Sequence, residues 1–318
     1  MRAIRPEDEP VEVAAPVILY SFDRPDYLRR VCAGLRAQRG ARLDPAGIWL
    51  LQDGAVSPHT GRRRGDPAAI AASIAVFREA FPAGQVLDSA HNLGVAHNIL
   101  RGERLAFETL DAPLAYFFED DLEPGPHYLW ALEQLRRRSE AEPRIAYFGA
   151  YGDHRRDYPG PEVKYIPLEH HWGFGLYRRA WRRMADWLAP YYALLEGRDY
   201  NDRDHGRIFR LWEGLSIASE ASSQDAAKSI ACLELGLSRV LTTVGFGRYI
   251  GERGNSFSPA HFRAMGFDRH RIVAAEAFAF HPLDPARLEA VDAHHRRHYE
   301  RLRRERFDAI LAAHPARG

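Results

Sequence analysis

Three consecutive acidic residues, Glu119, Asp120 and Asp121, directly follow the apolar run Leu114–Phe118. A continuous apolar run of this length predicts a strand that is covered on both faces of a parallel sheet. Adjacent carboxylates at the end of such a strand repel one another unless a cation or hydrogen-bond donors neutralise them. That edge is also where open α/β sheets bind ligands. The pattern therefore favours a site at which a divalent metal bridges Asp121 to a diphosphate.

A simpler interpretation is that the acids serve a helix predicted at Pro126–Leu135. Glu119 and Asp120 would then cap or precede that helix, whose N-terminus favours negative charge. Capping needs one acid, whereas three occur here. Ligand binding explains the cluster better.

Polar side chains also follow two other predicted strands. Asp23 and Arg24 come at the end of Val17–Phe22, and Asp53 follows Ile48–Leu51. Together with the acidic cluster, these residues predict a nucleotide pocket in which Arg24 pairs with phosphates and Asp53 accepts from a base or ribose. Taken alone, Asp53 followed by glycine is equally an ordinary turn.

The alternation of short apolar runs with segments of helical period predicts an α/β fold, with a mostly parallel central sheet flanked by helices. The second half is more α+β in character. We expect an N-terminal tail over residues 1–15, one catalytic domain over 16–283, and a basic helical extension over 284–318. The polar segment Gly197–Ser223 is predicted to be an irregular loop.

Composition narrows the functional class. The 44 basic and 43 acidic residues give a net charge of +1, which argues against nucleic acid as a partner. The two cysteines, Cys32 and Cys232, fall in amphipathic segments and are predicted to be buried thiols. With no signal-peptide pattern and no long apolar stretch, the expected location is cytoplasmic.

Several motifs, taken in order, resemble one known family. They are Val17–Leu28 (VILYSFDRPDYL), Gln52-Asp53-Gly54, Asn92-Leu93-Gly94, Glu119-Asp120-Asp121, and His171-Trp172-Gly173-Phe174-Gly175 followed by Trp181. Together they resemble bacterial GT-A glycosyltransferases related to the N-acetylglucosaminyltransferase I that initiates complex N-glycans. The resemblance runs from about Val17 to Phe262. It implies a GT-A-like nucleotide-diphospho-sugar transferase fold, with a donor half over about 16–150 and an acceptor half over about 151–283.

The resemblance also implies roles for individual residues. Asp121 would be the protein ligand of Mn²⁺, or Mg²⁺, in a DXD-like motif. A UDP-sugar is the favoured donor. The residues expected to contact the donor are Arg24, Asp53, Asn92, Glu119, Asp120, and either Arg248 or Arg253. His97 and Arg101, on the helix after Asn92, would line the same side, although His97 is equally typical of a helix surface.

Asp225, in Ser223-Gln224-Asp225, matches the position of the family's catalytic base. An inverting displacement needs one carboxylate to take the acceptor proton while a metal stabilises the departing diphosphate. Gln224 departs from the family, where an acid often stands. The alternative is that Asp225 is only an acid favoured at a helix start.

Two further segments allow two interpretations each. Val244–Ser256 is glycine-rich and corresponds by resemblance to a loop that orders over the donor, so that Arg248 or Arg253 reaches the diphosphate. It also fits a solvated hairpin loop. Trp172 and Phe174 would shape the acceptor or sugar wall, or else belong to the core.

Rival functions are a catalytically inactive nucleotide-sugar-binding module and a nucleotidyltransferase. The second would favour a glycine-rich loop after the first strand, where this chain has Asp23-Arg24-Pro25. Expected acceptors are glycans, lipid-linked sugars or proteins in bacterial polysaccharide or glycoprotein assembly. The basic helix at Val291–Phe307 could touch a membrane surface, but a solvated helix fits its weak apolar face better.

Overall fold

The computed structural model describes residues 2–156, 158–254 and 258–315. Its strands are β1 Val11–Val13, β2 Val17–Ser21, β3 Ala41–Leu43, β4 Ile48–Gln52, β5 Gln85–Asp88, β6 Leu114–Glu119, β7 Leu122–Pro124, β8 Ile145–Gly149, β9 Glu162–Val163, β10 Tyr165–Pro167, β11 Gly173–Tyr177, β12 Ser238–Thr242, β13 Gly247–Tyr249 and β14 Ala279–Phe280. The α-helices are α1 Pro25–Arg36, α2 Pro67–Ala80, α3 Gly94–Arg104, α4 Tyr128–Ser139, α5 Arg178–Ala193, α6 His205–Arg210, α7 Gln224–Glu234, α8 Pro259–Ala264 and α9 Pro285–Ala313.

Eight strands form the central sheet, in the order β10-β12-β8-β11-β6-β2-β4-β5. Strands β5, β4, β2 and β6 run parallel to one another, as do β8 and β12. Strand β11 is antiparallel to both β6 and β8, and β10 is antiparallel to β12. Helices pack against this sheet. The arrangement confirms the predicted α/β class, with a mostly parallel central sheet flanked by helices.

Strand β11 is absent from the sequence prediction although it lies at the centre of the sheet. Its sequence, Gly-Phe-Gly-Leu-Tyr, carries two glycines that disfavour an isolated strand. A Cβ at Gly173 would lie 2.0 Å from Leu122 Cδ2, and one at Gly175 would lie 2.3 Å from Phe148 Cζ. The glycines therefore allow neighbouring side chains to cross the strand closely, which a propensity argument does not detect.

Both ends of the chain contribute to the packed structure. In the segment expected to be a tail, β1 pairs in parallel with β3. The C-terminal helix α9 packs against β10 and β12, and it buries Leu288, Val291 and His295. The predicted loop Gly197–Ser223 contains the short helix α6. No helix among the described residues is long and apolar enough to cross a membrane.

Cys32 and Cys232 are both free and buried, as predicted. Burial raises the pKa of each thiol to about 12. At pH 8 only about one such thiol in 10⁴ would be the reactive thiolate. We therefore expect a disulfide reagent to label neither cysteine in the native protein over minutes and to label both in denaturant. Rapid labelling of either thiol under native conditions, followed by absorbance, would contradict this prediction.

The buried His270 should make stability depend on pH. Its Nδ1 accepts from the Tyr249 N–H at 3.2 Å, and its Nε2 donates to the Tyr151 carbonyl at 2.5 Å, so the ring is held in a neutral tautomer. Burial lowers the pKa of His270 to about 4. The unfolded chain therefore takes the proton first, and stability should be lost as pH falls from 6.5 towards 4, by roughly 3 kcal/mol at most for this group.

Urea unfolding between pH 7 and pH 5 tests the His270 prediction. His270→Gln should show a shallower loss of unfolding free energy with acid than the wild type. The exposed His298, replaced by glutamine, is the matched control and should keep the wild-type slope. Equal slopes for His270→Gln and the wild type would exclude this role.

Candidate active site at the carboxyl edge of the sheet

The ends of three adjacent parallel strands bring the predicted polar residues to one edge of the sheet. Strands β6, β2 and β4 are neighbours, and their carboxyl ends lead into Asp120, Arg24 and Asp53 respectively. Asp120 and Asp121 are buried, at 4% and 3% exposure. Helix α4 begins at Tyr128, and no side chain among the described residues caps it. The acids therefore precede this helix in sequence without capping it.

The guanidinium of Arg24 lies against two of the three acids. Its Nη2 and Nε donate to Asp120, with Nε at 3.3 Å from Oδ2. Its Nη1 lies 2.9 Å from Asp121 Oδ2. Burial lowers the pKa of Arg24, but Asp120 and Asp121 outweigh this effect and hold it well above its usual value. The role expected for Arg24, at the phosphates, stays a prediction, because in this structure it neutralises carboxylates.

One guanidinium does not offset the whole cluster. Burial raises the pKa of Asp120 to about 6, against the opposing effect of Arg24. Burial also raises the pKa of Glu119 well above its usual value, and the charges of Asp121 and Asp225 raise it further. Burial and mutual repulsion thus favour the protonated forms of Glu119 and Asp120, and an added cation would favour their ionised forms.

One carboxylate oxygen in the cluster is available to a ligand. Asp121 Oδ1 is buried and has no hydrogen-bond partner among the described residues. No group of three or more His, Cys, Asp or Glu side chains in the described ranges is arranged to hold a metal ion. The unpartnered Asp121 Oδ1 is thus the single carboxylate oxygen that would serve a cation such as Mg²⁺ or Mn²⁺, whose remaining ligands would come from phosphates and water.

Asp225 lies beside this cluster although it is remote in sequence. It stands in the first turn of α7, where the Ser223 hydroxyl accepts from the backbone N–H of Ala226 at 3.3 Å. Its carboxylate is half-buried, and its charge raises the pKa of Glu119. Ser223 is the cap, and the first-turn position of Asp225 is consistent with the alternative of an acid favoured at a helix start. The fold thus brings the predicted base within electrostatic reach of the predicted metal side.

His171 is a neighbour of Asp225 to which the sequence prediction gave no role. Its Nδ1 lies 3.2 Å from Asp225 Oδ1, and its side chain is 1% exposed. Burial opposes ionisation of Asp225, but His171 and Lys228 outweigh it and lower the pKa of this carboxyl. Asp225 is therefore ionised at neutral pH, as a base must be. In the sequence, His171 is visible only as a histidine before a Trp-Gly-Phe-Gly segment. That pattern does not indicate that its side chain meets an acid of helix α7.

Asp53 organises a loop through its own carboxylate. It accepts from the backbone N–H groups of Gly54 at 2.8 Å, Leu93 at 2.7 Å and Gly94 at 3.0 Å, and from Asn92 Nδ2 at 3.0 Å. These four donors hold the start of α3 against the end of β4. The donor contacts expected of Asp53 and Asn92 stay predictions.

A cavity of about 620 Å³ opens beside this loop. Asn92, His97 and Arg101 are among the residues that line it, together with several leucines. Arg101 Nη2 also donates to the Leu87 carbonyl. The two residues expected on the donor side of α3, His97 and Arg101, thus share one wall with Asn92.

The glycine-rich segment after β12 runs over the acidic cluster. Strand β13 pairs antiparallel with β7, and the backbone N–H of Ile250 donates to the Asp121 carbonyl at 2.8 Å. A Cβ at Gly251 would lie 2.2 Å from the Tyr249 hydroxyl and 2.7 Å from Asp121 Oδ2, so a larger residue would have to displace these side chains. Asn255 and Ser256, the end of the predicted segment, lie outside the described residues.

The two arginines of this segment each contact an acidic side chain. Arg248 Nε lies 2.5 Å from Glu123 Oε2, across the ladder between β13 and β7. Arg253 is largely exposed, with Nη2 at 3.5 Å from Asp26 Oδ2, and its carbonyl accepts from Arg24 Nη1 at 3.4 Å. Arg253 therefore lies beside the cluster, and Arg248 is held by a neighbouring acid.

Aromatic rings form the other wall beside the acids. Trp172 stacks between Tyr249, at a ring-centroid distance of 3.9 Å, and His170, at 4.2 Å. Phe174 is buried in the core and stacks on Phe117 at 5.3 Å. Trp172 and Phe174 are both buried in the core, at 5% and 2% exposure, as the second interpretation of this motif expects. The role of Trp172 at the acceptor or sugar wall stays a prediction.

Comparisons with known proteins give low similarity throughout. No protein-family model matches the chain, and no curated protein matches it. Among solved structures it is similar to S. aureus TarS residues 1–349, with 11% identity, a TM-score of 0.32, and coverage of 54% of this chain and 48% of that chain. It is similar to an active-site mutant of LgtC, with 12% identity, a TM-score of 0.32, and coverage of 58% and 66%. A longer TarS structure gives 12% identity, a TM-score of 0.36, and coverage of 73% and 34%. The matched part thus spans between 34% and 66% of each of these solved chains.

Proposed function

We propose that this protein is a metal-dependent, inverting glycosyltransferase that moves a sugar from a nucleotide-diphosphate donor, with a UDP-sugar favoured, to a hydroxyl acceptor. The observation that carries the proposal is the position of Asp225. An ionised carboxylate at the start of α7 lies within electrostatic reach of Glu119, at the end of β6. A sugar-binding module without activity would need no base at that point.

Each residue would have a separate role in a single displacement at the anomeric carbon. Asp225 takes the proton of the acceptor hydroxyl as its oxygen bonds to the anomeric carbon, on the face opposite the diphosphate. The bond between that carbon and the diphosphate oxygen breaks, and its electron pair leaves with the diphosphate. Gln224 Nε2 donates to the Asp225 carboxylate, and His171 lies beside it, with Nδ1 at 3.2 Å from Asp225 Oδ1. Arg24 keeps Asp120 and Asp121 fixed at the edge where the phosphates bind.

Asp121 would hold the divalent cation through its free Oδ1. When bound, such a cation stabilises the negative charge that develops on the departing diphosphate. Polysaccharide or glycoprotein assembly is the process in which we place this reaction.

Calorimetric titration with UDP, GDP and dTDP, each with and without Mn²⁺, tests the donor site. We expect one nucleotide to bind tightly only when metal is present. Asp121→Asn should remove the metal-dependent part of this affinity, since it takes away the charged ligand at that position. The exposed Asp186 of α5, replaced by asparagine, is the matched control and should bind as the wild type does.

Three results would overturn the proposal. Absence of binding by every nucleotide would remove the donor site. Binding of equal strength with and without metal, or in Asp121→Asn, would remove the metal role. Formation of a nucleotide-diphospho-sugar and pyrophosphate from a nucleoside triphosphate and a sugar phosphate would favour the nucleotidyltransferase alternative.

A further inference from the structure

A second cavity, of about 370 Å³, lies between the segment 151–170 and the start of helix α9. Its volume is in the range of small-molecule sites. Its polar lining includes His154, Arg155, Glu169, His170, Arg287 and His294. None of these residues belongs to the site proposed for the nucleotide.

Among the described residues that line this cavity, arginines outnumber acids by three to two. Arg155 is paired with Glu169 at 2.8 Å, and the other acid, Asp153, accepts from the backbone N–H of Arg155 at 2.9 Å. Arg156 and Arg287 form no ion pair with any residue that the structure describes. Arg287 lies in the first turn of α9, so within the described part of the chain its charge is available to a ligand.

A buried histidine adds a hydrogen-bonding group without a partner. His154 is 7% exposed, and its Nε2 is buried with no hydrogen-bond partner within the described residues. Burial, together with the neighbouring Arg155, lowers the pKa of His154 to about 3, so the ring is neutral at physiological pH. A neutral imidazole can donate one N–H to an oxyanion. A buried polar atom without a hydrogen-bond partner is costly unless it gains one.

One lining residue of the cavity is next in sequence to the neighbour of the proposed base. His170 lines the cavity and stacks on Trp172, which continues the ring stack towards the acidic cluster. The following residue, His171, has its Nδ1 at 3.2 Å from Asp225 Oδ1. The charge of Asp225 also reaches His170, where it opposes the effect of burial on the pKa. The cavity and Asp225 are therefore connected through two consecutive histidines.

We propose that this cavity binds an oxyanion substituent, a carboxylate or a phosphate, carried by the acceptor sugar, with Arg287 supplying the charge and His154 an N–H donor. The inference rests on the proposed function and extends it by naming the acceptor class. An acidic or phosphorylated sugar would be anchored by its anion while a hydroxyl faces Asp225. A neutral sugar would leave Arg287 and His154 without partners.

Direct binding at constant ionic strength tests this inference without any turnover. The probes are D-glucuronate, glucose 6-phosphate and the uncharged methyl glucoside, each titrated by calorimetry or ligand-observed NMR. At least one anionic sugar should bind, and the uncharged sugar should bind at least about tenfold more weakly. Preference for glucuronate would identify a carboxylate substituent, and preference for the sugar phosphate would identify a phosphate.

The matched variants are Arg287→Gln and Arg301→Gln, both on α9, with Arg301 exposed and outside the cavity. Arg287→Gln should weaken binding of the anionic sugar by roughly tenfold or more, and Arg301→Gln should leave its affinity unchanged. Equal binding of charged and uncharged sugars, or an unchanged affinity in Arg287→Gln, would overturn the inference.

The nucleotide titration shows whether a negative result contradicts only the acceptor inference or also the proposed function. If UDP binds with metal and no anionic sugar does, the acceptor inference is overturned and the proposed function stands. If anionic sugars bind and no nucleotide does, the proposed function is overturned, and the acceptor role of the cavity with it.

Discussion

Asp225→Asn is expected to lower the rate of sugar transfer by roughly 10²- to 10⁴-fold, the contribution of a positioned general base. The change removes the charge and keeps the shape of the side chain. Gln224 Nε2 donates to Asp225 Oδ1, and an asparagine oxygen can accept the same bond. Nucleotide affinity should therefore stay at the wild-type value while turnover falls.

The turnover of Asp225→Asn is measured as release of nucleoside diphosphate from a sugar donor that carries the nucleotide identified by titration. Glu234→Gln, at the exposed end of the same helix α7, is the control for loss of an acid and should retain wild-type turnover. Unchanged turnover in Asp225→Asn would remove it as the base. Loss of nucleotide binding in that variant would instead assign it to the donor site.

Lys228→Met is expected to destabilise the protein by about 3–5 kcal/mol, because it leaves a buried carboxylate without its partner. Lys228 Nζ lies 2.5 Å from Glu103 Oε1, and both side chains are 2% exposed. The other carboxylate oxygen of Glu103 accepts from Trp181 Nε1 at 3.2 Å. This group joins α3, α5 and α7 beneath the proposed base.

Urea unfolding of single and double variants measures the effect of Lys228→Met. The double variant with Glu103→Gln removes the buried charge and keeps an acceptor for Trp181, so it should recover much of the lost stability. A double variant no more stable than Lys228→Met would show that packing of the lysine, not charge pairing, causes the loss. A loss below 1 kcal/mol in the single variant would refute the prediction itself.

The part of the site that the sequence predicts best is the edge formed by β6, β2 and β4. Each of these strands is a short apolar run followed at once by acidic or basic residues, so both the element and its end are local features. Parallel neighbours place such ends together. The helix that carries Asp225 was predictable for the same local reason, with Ser223 as its cap.

The remaining features depend on contacts between distant residues. Periodicity does not indicate that Arg24 pairs with Asp120, that four donors surround Asp53, or that His171 touches Asp225. The partners are 96 residues apart in the first case and 54 in the last. Strand β11 was missed because glycines disfavour a strand when only the local sequence is considered. Their role becomes clear only from the neighbouring side chains that cross the strand.

The position of β11 also decides whether the two halves of this chain can be exchanged between proteins. This strand comes from the half predicted to bind the acceptor, yet it separates β6 from β8, which both belong to the half predicted to bind the donor. A fragment ending near residue 150 would leave β6 with an open, apolar edge and β8 with no partner, and such edges promote aggregation. A chimera that takes a new donor half must therefore also take a β11 that fits it, so the unit of exchange is the whole sheet.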